Sequence, residues 1–226
     1  MKSWTTTILP DPTRLKERMQ ILSALDAILC EEEWLRVHHY EQSWQPGVDL
    51  GVVKNGAGDH FYVIFMKEGV LIKGFDHESP LSPHAREDGE IWPGMYDEVP
   101  EALLTRLQNI SESLEADDVT FCLWHMVNDP SWRSGEMLGL DEVDESDRDG
   151  GADFLFGYLA ESSASYAEWA EDYFDLSIPL PLDVVSQIYH GNQVEKGWIT
   201  ALNPMREVQE VLMDLKKIGI DDSRPI

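Results

Sequence analysis

Residues 48–75 read "VDLGVVKNGAGDHFYVIFMKEGVLIKGF". Apolar side chains here alternate with polar ones or run together in segments of about six residues, the pattern of extended chain. Asn55-Gly56-Ala57-Gly58-Asp59 and Glu68-Gly69 punctuate it with residues that accept tight reversals. The stretch predicts three antiparallel strands, 48–54, 60–67 and 70–75. Segments of helical spacing lie on both sides of it, so the class is α+β, a small sheet packed by amphipathic helices.

Upstream, Asp11 offers a cap and Pro12 a first helical residue, and Leu15, Met19, Leu22, Leu25 and Leu29 recur at helical spacing toward Leu35. The spacing predicts one long helix over 12–38, bent near Glu31-Glu32-Glu33, with His38-His39 as a cation pair at its C-terminal end. Downstream, 76–99 carries Pro80, Pro83, Gly89, Pro93 and Gly94 without a sustained period. It reads as a long ordered loop pinned by Ile91, Trp92 and Met95. Pro100 opens a helix through Asn109, and "VTFCLWHMV", 119–127, is the fourth strand of the sheet.

The C-terminal half reads as helical. Tyr166, Trp169, Ala170, Tyr173 and Phe174 form one stripe, and a last helix from Asn203-Pro204 turns Val208, Val211, Leu212, Leu215 and Ile218 inward. One domain over 1–226 is the preferred reading. The alternative divides the chain near 128–150 and sets 151–226 apart as a helical part.

A hydrophobic content of 42% in 226 residues suffices for a sizeable core. Lys and Arg number 17 against 43 Asp and Glu, a net charge of −26, and the excess of acids is nine in residues 1–113 and seventeen in 114–226. Such a charge repels phosphate backbones and anionic lipid, so neither nucleic acid nor membrane is an expected partner. A nucleic-acid mimic, which would use carboxylates in place of phosphates, is the exception. No stretch approaches the ~20 apolar residues of a membrane span. The N-terminal "MKSWTTTILPDPTRLKERMQ" has neither the apolar run nor the small-residue site of a leader, and a cytoplasmic location is expected. Cys30 and Cys122 stand far apart in apolar surroundings, which suits reduced, packed thiols.

"GFDHESPLSPH", 74–84, concentrates the residues that carry chemistry. As a metal site it offers Asp76, His77, Glu78 and His84, oxygen and imidazole donors of the kind that hold zinc. As an acid/base or nucleophile site it offers Asp76, His77, Glu78 and Ser79, with Ser82 a second hydroxyl. Successive side chains of an extended segment point to opposite faces, which separates His77 from Asp76 and Glu78. The reading preferred here makes the stretch a loop anchor, in which Asp76, Ser79 and Ser82 hold backbone amides of turns and the histidine buttresses them.

Residues 136–153 read as an exposed mobile loop and carry Glu136, Asp141, Glu142, Asp144, Glu145, Asp147, Asp149 and Asp153 against Arg148 alone. An EF-hand register begun at Glu145 puts Asp147, Asp149 and Gly150 in place but ends on Phe156, so no calcium loop is formed. The run reads instead as a solvated loop or as a contact surface for a basic partner. Trp92, Trp124, Trp169 and Trp198 sit in apolar patterns and are expected in the core. Trp34, Trp44 and Trp132 adjoin polar stretches and are expected as exposed interface anchors. Phosphate-binding glycine loops and paired Cys-x-x-Cys motifs do not occur, and no cofactor is expected.

With "KGFDHESPLSPH", "IWPGMYDEVP", "TFCLWHMVNDPSWRSG" and "AEDYFDLSI" in place, the chain resembles a group of bacterial cytoplasmic proteins that share Gly-Phe-Asp-His-Glu-Ser followed by a Trp-Pro-Gly segment. That resemblance spans most of 48–218 and carries no catalytic residue with it. In general cast the chain is also similar to acidic immunity proteins of bacterial toxin systems. The functional expectation is a non-enzymatic protein that binds a basic partner through Asp141, Glu142, Asp144, Glu145, Asp147, Asp149 and Trp132. The competing expectation is a metal-assisted or acid/base hydrolase centred on Asp76, His77 and Glu78.

Overall fold

The computed structural model describes residues 9–110, 114–191 and 193–220. The first eight residues, which entered the reading for a leader, lie outside them. Helix α1, Pro12–Leu29, starts as its sequence dictates: the Asp11 carboxylate accepts from the amides of Thr13 and Arg14 at 3.0 and 3.1 Å, and Pro12 occupies the first turn.

The helix stops at Leu29 instead of running to 38. Cys30 is already extended, a single 3-10 turn covers Glu33–Leu35, and His38 opens strand β1, His38–Gln45. The stop is made by contacts from afar. Buried Asp26 accepts the amides of Val37 and His38, and Arg36 Nε donates to the carbonyl of Cys30 at 2.9 Å. His38-His39 therefore belong to a strand and form no helix-terminal cation pair.

Strands β2 (Val48–Lys54), β3 (His60–Met66), β4 (Gly69–Phe75), β5 (Phe121–Met126) and β6 (Arg133–Ser134) complete a six-stranded sheet whose spatial order repeats the chain order, every pair antiparallel. The three-strand meander and the fourth strand stand where the alternation put them. The two additional strands lie at the edges: β1 is largely polar, and β6 is two residues long.

Both faces of the sheet are covered, which is why β3 and β4 read as nearly unbroken apolar runs. One face carries Phe61, Val63, Phe65, Ile72, Phe121 and Leu123 against α1 and the C-terminal helices. The other carries Tyr62, Ile64, Leu71, Cys122 and Trp124 against α2 (Glu101–Asn109) and the pinned loop, with Met95, Val99, Leu103 and Leu107 inward. Gly74 is required where it stands, because a Cβ there would overlap the Phe121 ring.

Helices α3 (Ala152–Phe156), α4 (Ser163–Tyr173), α5 (Leu182–Gly191), α6 (Lys196–Leu202) and α7 (Val208–Ile218) follow. Their inward residues, among them Tyr166, Val185, Ile199 and Val211, join α1 in one core with the sheet. Residues on both sides of 128–150 contribute to this core. Sandwiched between sheet and helices, α1 buries Leu15, Ile21, Ala24, Leu25 and Ile28 on several sides rather than along one stripe. Asn203-Pro204 lies in the turn before α7, not in the helix.

Two further expectations change. Residues 136–153, read as a mobile loop, form hydrogen-bonded turns with 3-10 segments at Leu140–Glu142 and Glu145–Asp147, and Arg148 Nε donates to the carbonyl of Val143 at 2.9 Å. Trp132, read as an exposed anchor, is 2% exposed, and its indole donates to the carbonyl of Pro10 at 2.8 Å. Trp34 is exposed as read. Both cysteines are buried free thiols. Among the described residues no helix is long and apolar enough to cross a membrane.

Candidate functional site

Register places the site. His60 pairs with Phe75, so the residues just outside that pair, Asp59 before β3 and Asp76-His77 after β4, meet at one end of the sheet. The Asn55 side-chain oxygen Oδ1 accepts from the amides of Ala57 and Asp59, closing the turn. That turn sets the Asp59 carboxylate beneath His77.

Asp59 Oδ1 accepts from the His77 amide at 2.9 Å and from His77 Nδ1 at 2.6 Å, while Oδ2 accepts from the Asn55 side-chain amide at 2.7 Å. Burial pushes the Asp59 carboxyl up, but the His77 amide and ring and the Asn55 amide outweigh it and hold the group below its ordinary range. The same bond raises the His77 imidazole above its ordinary value. Asp59 is buried and His77 half-exposed. The carboxylate thus holds the ring through Nδ1 and leaves Nε2 without a hydrogen-bond partner among the described residues, as a proton-transferring histidine requires.

Of the four donors singled out in 74–84, the structure brings Asp76 and His77 together and leaves Glu78 and His84 apart from them. Asp76 takes the amide of Glu78 at 2.9 Å, and burial raises its carboxyl. Ser79 and Ser82, both buried, accept the amides of Leu81 and His84 and reach no imidazole. Glu78 is exposed, and His84 turns away to Asp118 at 2.8 Å. The loop-anchor reading of Asp76, Ser79 and Ser82 matches these bonds. The group that does converge is Asp59, Asp76 and His77, with one donor atom of each within 4.8 Å of the others. Asp59 Oδ1 accepts two hydrogen bonds and Oδ2 one, which makes Asp59 and His77 an oriented carboxylate–imidazole pair with Asp76 beside it.

A second titratable group lies under the sheet and has no counterpart in the sequence reading. Lys73 is fully buried in β4, its Nζ 3.2 Å from His60 Nε2 and 3.2 Å from the carbonyl of Leu114, over the Tyr62 ring at 5.3 Å. Burial lowers its ammonium to about 8 against the pull of Glu115 and Asp118. Burial and then the Lys73 charge lower His60 to about 4. His60 is thus neutral near pH 7 and accepts from Lys73. Its 3.2 Å contact with Glu115 would be an ion pair only if protonated, and Glu115 draws its hydrogen bond from the Tyr62 hydroxyl at 3.2 Å. A lone lysine inside "GVLIKGF", an otherwise apolar central strand, is the signal that marked this group.

The acidic turns are bolted to the same sheet end. Thr120 Oγ1 accepts from the Asp76 amide at 3.0 Å and donates to the Gly150 carbonyl at 2.6 Å, and Gly151 packs directly on Asp76. Asp141, Glu142, Asp144, Glu145 and Asp147 are exposed along this segment. Asp149 is not free with them: its oxygens accept the amides of Gly151 and Asp153 at the start of α3.

Comparison of the chain with protein-family models, with curated proteins and with solved structures finds no match in any of the three.

Proposed function

We propose that the chain is a non-enzymatic binding protein, of the immunity type, that covers a basic protein surface with its acidic turns. The observation that supports this reading is the exposure of Asp141, Glu142, Asp144, Glu145 and Asp147 on turns braced by Arg148, Thr120 and Gly151. Charges held in place by hydrogen-bonded turns need little ordering on association, and a partner of opposite sign is steered toward them. Affinity capture from the cell of origin tests it. A basic protein retained at low salt and released at high salt is expected, and its retention must fall when Asp144, Glu145 and Asp147 become Asn, Gln and Asn. A partner indifferent to salt and to these changes sinks the reading.

One observation favours a second reading, acid/base hydrolysis at His77: Asp59 holds its Nδ1, and the side chain is half-exposed. The partners differ from those first considered, since Asp59 replaces Glu78 and no serine takes part. Assay of ester and phosphodiester substrates tests this. Turnover lost in both His77→Ala and Asp59→Asn supports it, and turnover untouched by either change removes it.

A further inference from the structure

A groove of about 790 Å³ opens between α3 and α4, next to the acidic turns. Four aromatic residues line it, Phe154, Phe156, Tyr158 and Trp169. The Tyr158 ring stands at 79° to Phe154 and 85° to Trp169, with centroids 5.9 and 6.4 Å away. Phe154 is 54% exposed. Asp153 and Glu161 add two carboxylates to the lining, and Arg18 one guanidinium. The acidic segment leads straight into the groove, because Asp149 caps α3 through the amide of Asp153 at 2.8 Å.

The groove's floor is fixed from below. The Tyr158 carbonyl is bound by His38 Nε2 at 2.8 Å, and the Trp169 ring takes the His38 ring on edge at 5.1 Å. Rings set at right angles, on a rigid base and beside carboxylates, suit a planar cation. Ring faces attract positive charge, and a guanidinium is weakly hydrated, stacks well and gives up less hydration than an ammonium. An apolar occupant would strip water from Asp153 and Glu161 without compensation. Burial and the charge of Asp149 already push the Asp153 carboxyl up, a strain that an arriving cation relieves.

We propose that this groove receives an arginine side chain of the basic partner, as the anchor beside the acidic turns. The proposal rests on the binding reading above and adds the chemistry of one contact. Labelled nona-arginine and nona-lysine peptides, titrated at matched salt, test it. The native chain is expected to bind the arginine peptide about three- to tenfold more tightly. Phe154→Ala, at an exposed position that folding tolerates, is expected to abolish that preference, and Phe154→Tyr to keep it. Equal binding of the two peptides, or a preference that Phe154→Ala leaves intact, overturns the groove assignment. In that event the reading of the acidic turns still stands if Asp144→Asn, Glu145→Gln and Asp147→Asn together weaken both peptides. Binding of neither peptide removes both.

Discussion

Asp26 and His38 meet at 3.0 Å with neither side chain reached by solvent. The other ring nitrogen of His38 lies 2.8 Å from the Tyr158 carbonyl, so the imidazole bridges the Asp26 carboxylate and the backbone after α3. Asp26 also takes the amides of Val37 and His38 and the hydroxyl of Tyr166 at 2.8 Å. One carboxylate thus ends a helix, starts a strand and ties both to α4. Asp26→Asn leaves His38 facing a neutral amide, and the expected cost is roughly 3–5 kcal/mol in urea unfolding. A loss below about 1 kcal/mol would show that the pair is not the joint described here.

His60 predicts a pH response. Its folded value is lowered to about 4 from an ordinary 6.5, so between those values the unfolded chain binds the proton and the native chain does not. The His60 contribution to stability is complete above about 6.5 and is lost as pH falls toward 4. NMR titration of the imidazole should find it neutral at pH 6. A midpoint at the ordinary histidine value would contradict the burial beside Lys73.

Two tryptophans separate buried anchor from exposed side chain. Trp132→Ala removes a core indole with its bond to Pro10 and should cost about 3–5 kcal/mol. Trp34, 80% exposed, should tolerate Ala within about 0.5 kcal/mol. Equal effects in thermal unfolding would reverse the placement of Trp132.

At the sheet end, Asp59→Asn withdraws the charge that raises His77. The imidazole should then titrate at lower pH in proton NMR, with its sheet-end neighbours unmoved. An unchanged midpoint would mean that Asp59 does not govern the ring.

Gly151 has φ 85°, and a Cβ there would overlap the Asp76 carboxylate. Gly151→Ala should destabilise by about 1–3 kcal/mol and raise hydrogen exchange at Gly150 and Asp153 before the rest of the chain. Exchange that rises evenly through the sheet would argue against a local joint.

The meander was legible because period-two alternation and glycine turns act locally, and the hairpin register follows from them. The same register implies that Asp59 stands opposite Asp76 and His77. Reading 74–84 as an isolated motif concealed that partner, which lies across the β3–β4 hairpin. The end of α1 was illegible for another reason. Cys30 to Val37 contains no Gly or Pro, and the stop depends on bonds to Asp26 and from Arg36 that form only in the folded chain. Strand β1 has too polar a face to announce itself, and the two residues of β6 are too few to show a period. Trp132 misled because its polar neighbours in "NDPSWRSG" describe the turn, while its ring crosses to Pro10.

Because spatial order in the sheet repeats chain order, synthesis can lay the strands down one after another, each beside a neighbour already made. Helix α1 emerges before the strands and supplies the floor on which they settle. The helices that finish that floor come after β6. Until they leave the ribosome, Phe61, Phe121 and the outer side of α1 lack their final cover. A nascent chain that has reached β6 but not the helices beyond it therefore holds every strand of the sheet and an uncovered apolar face, the kind of surface through which unfinished chains aggregate.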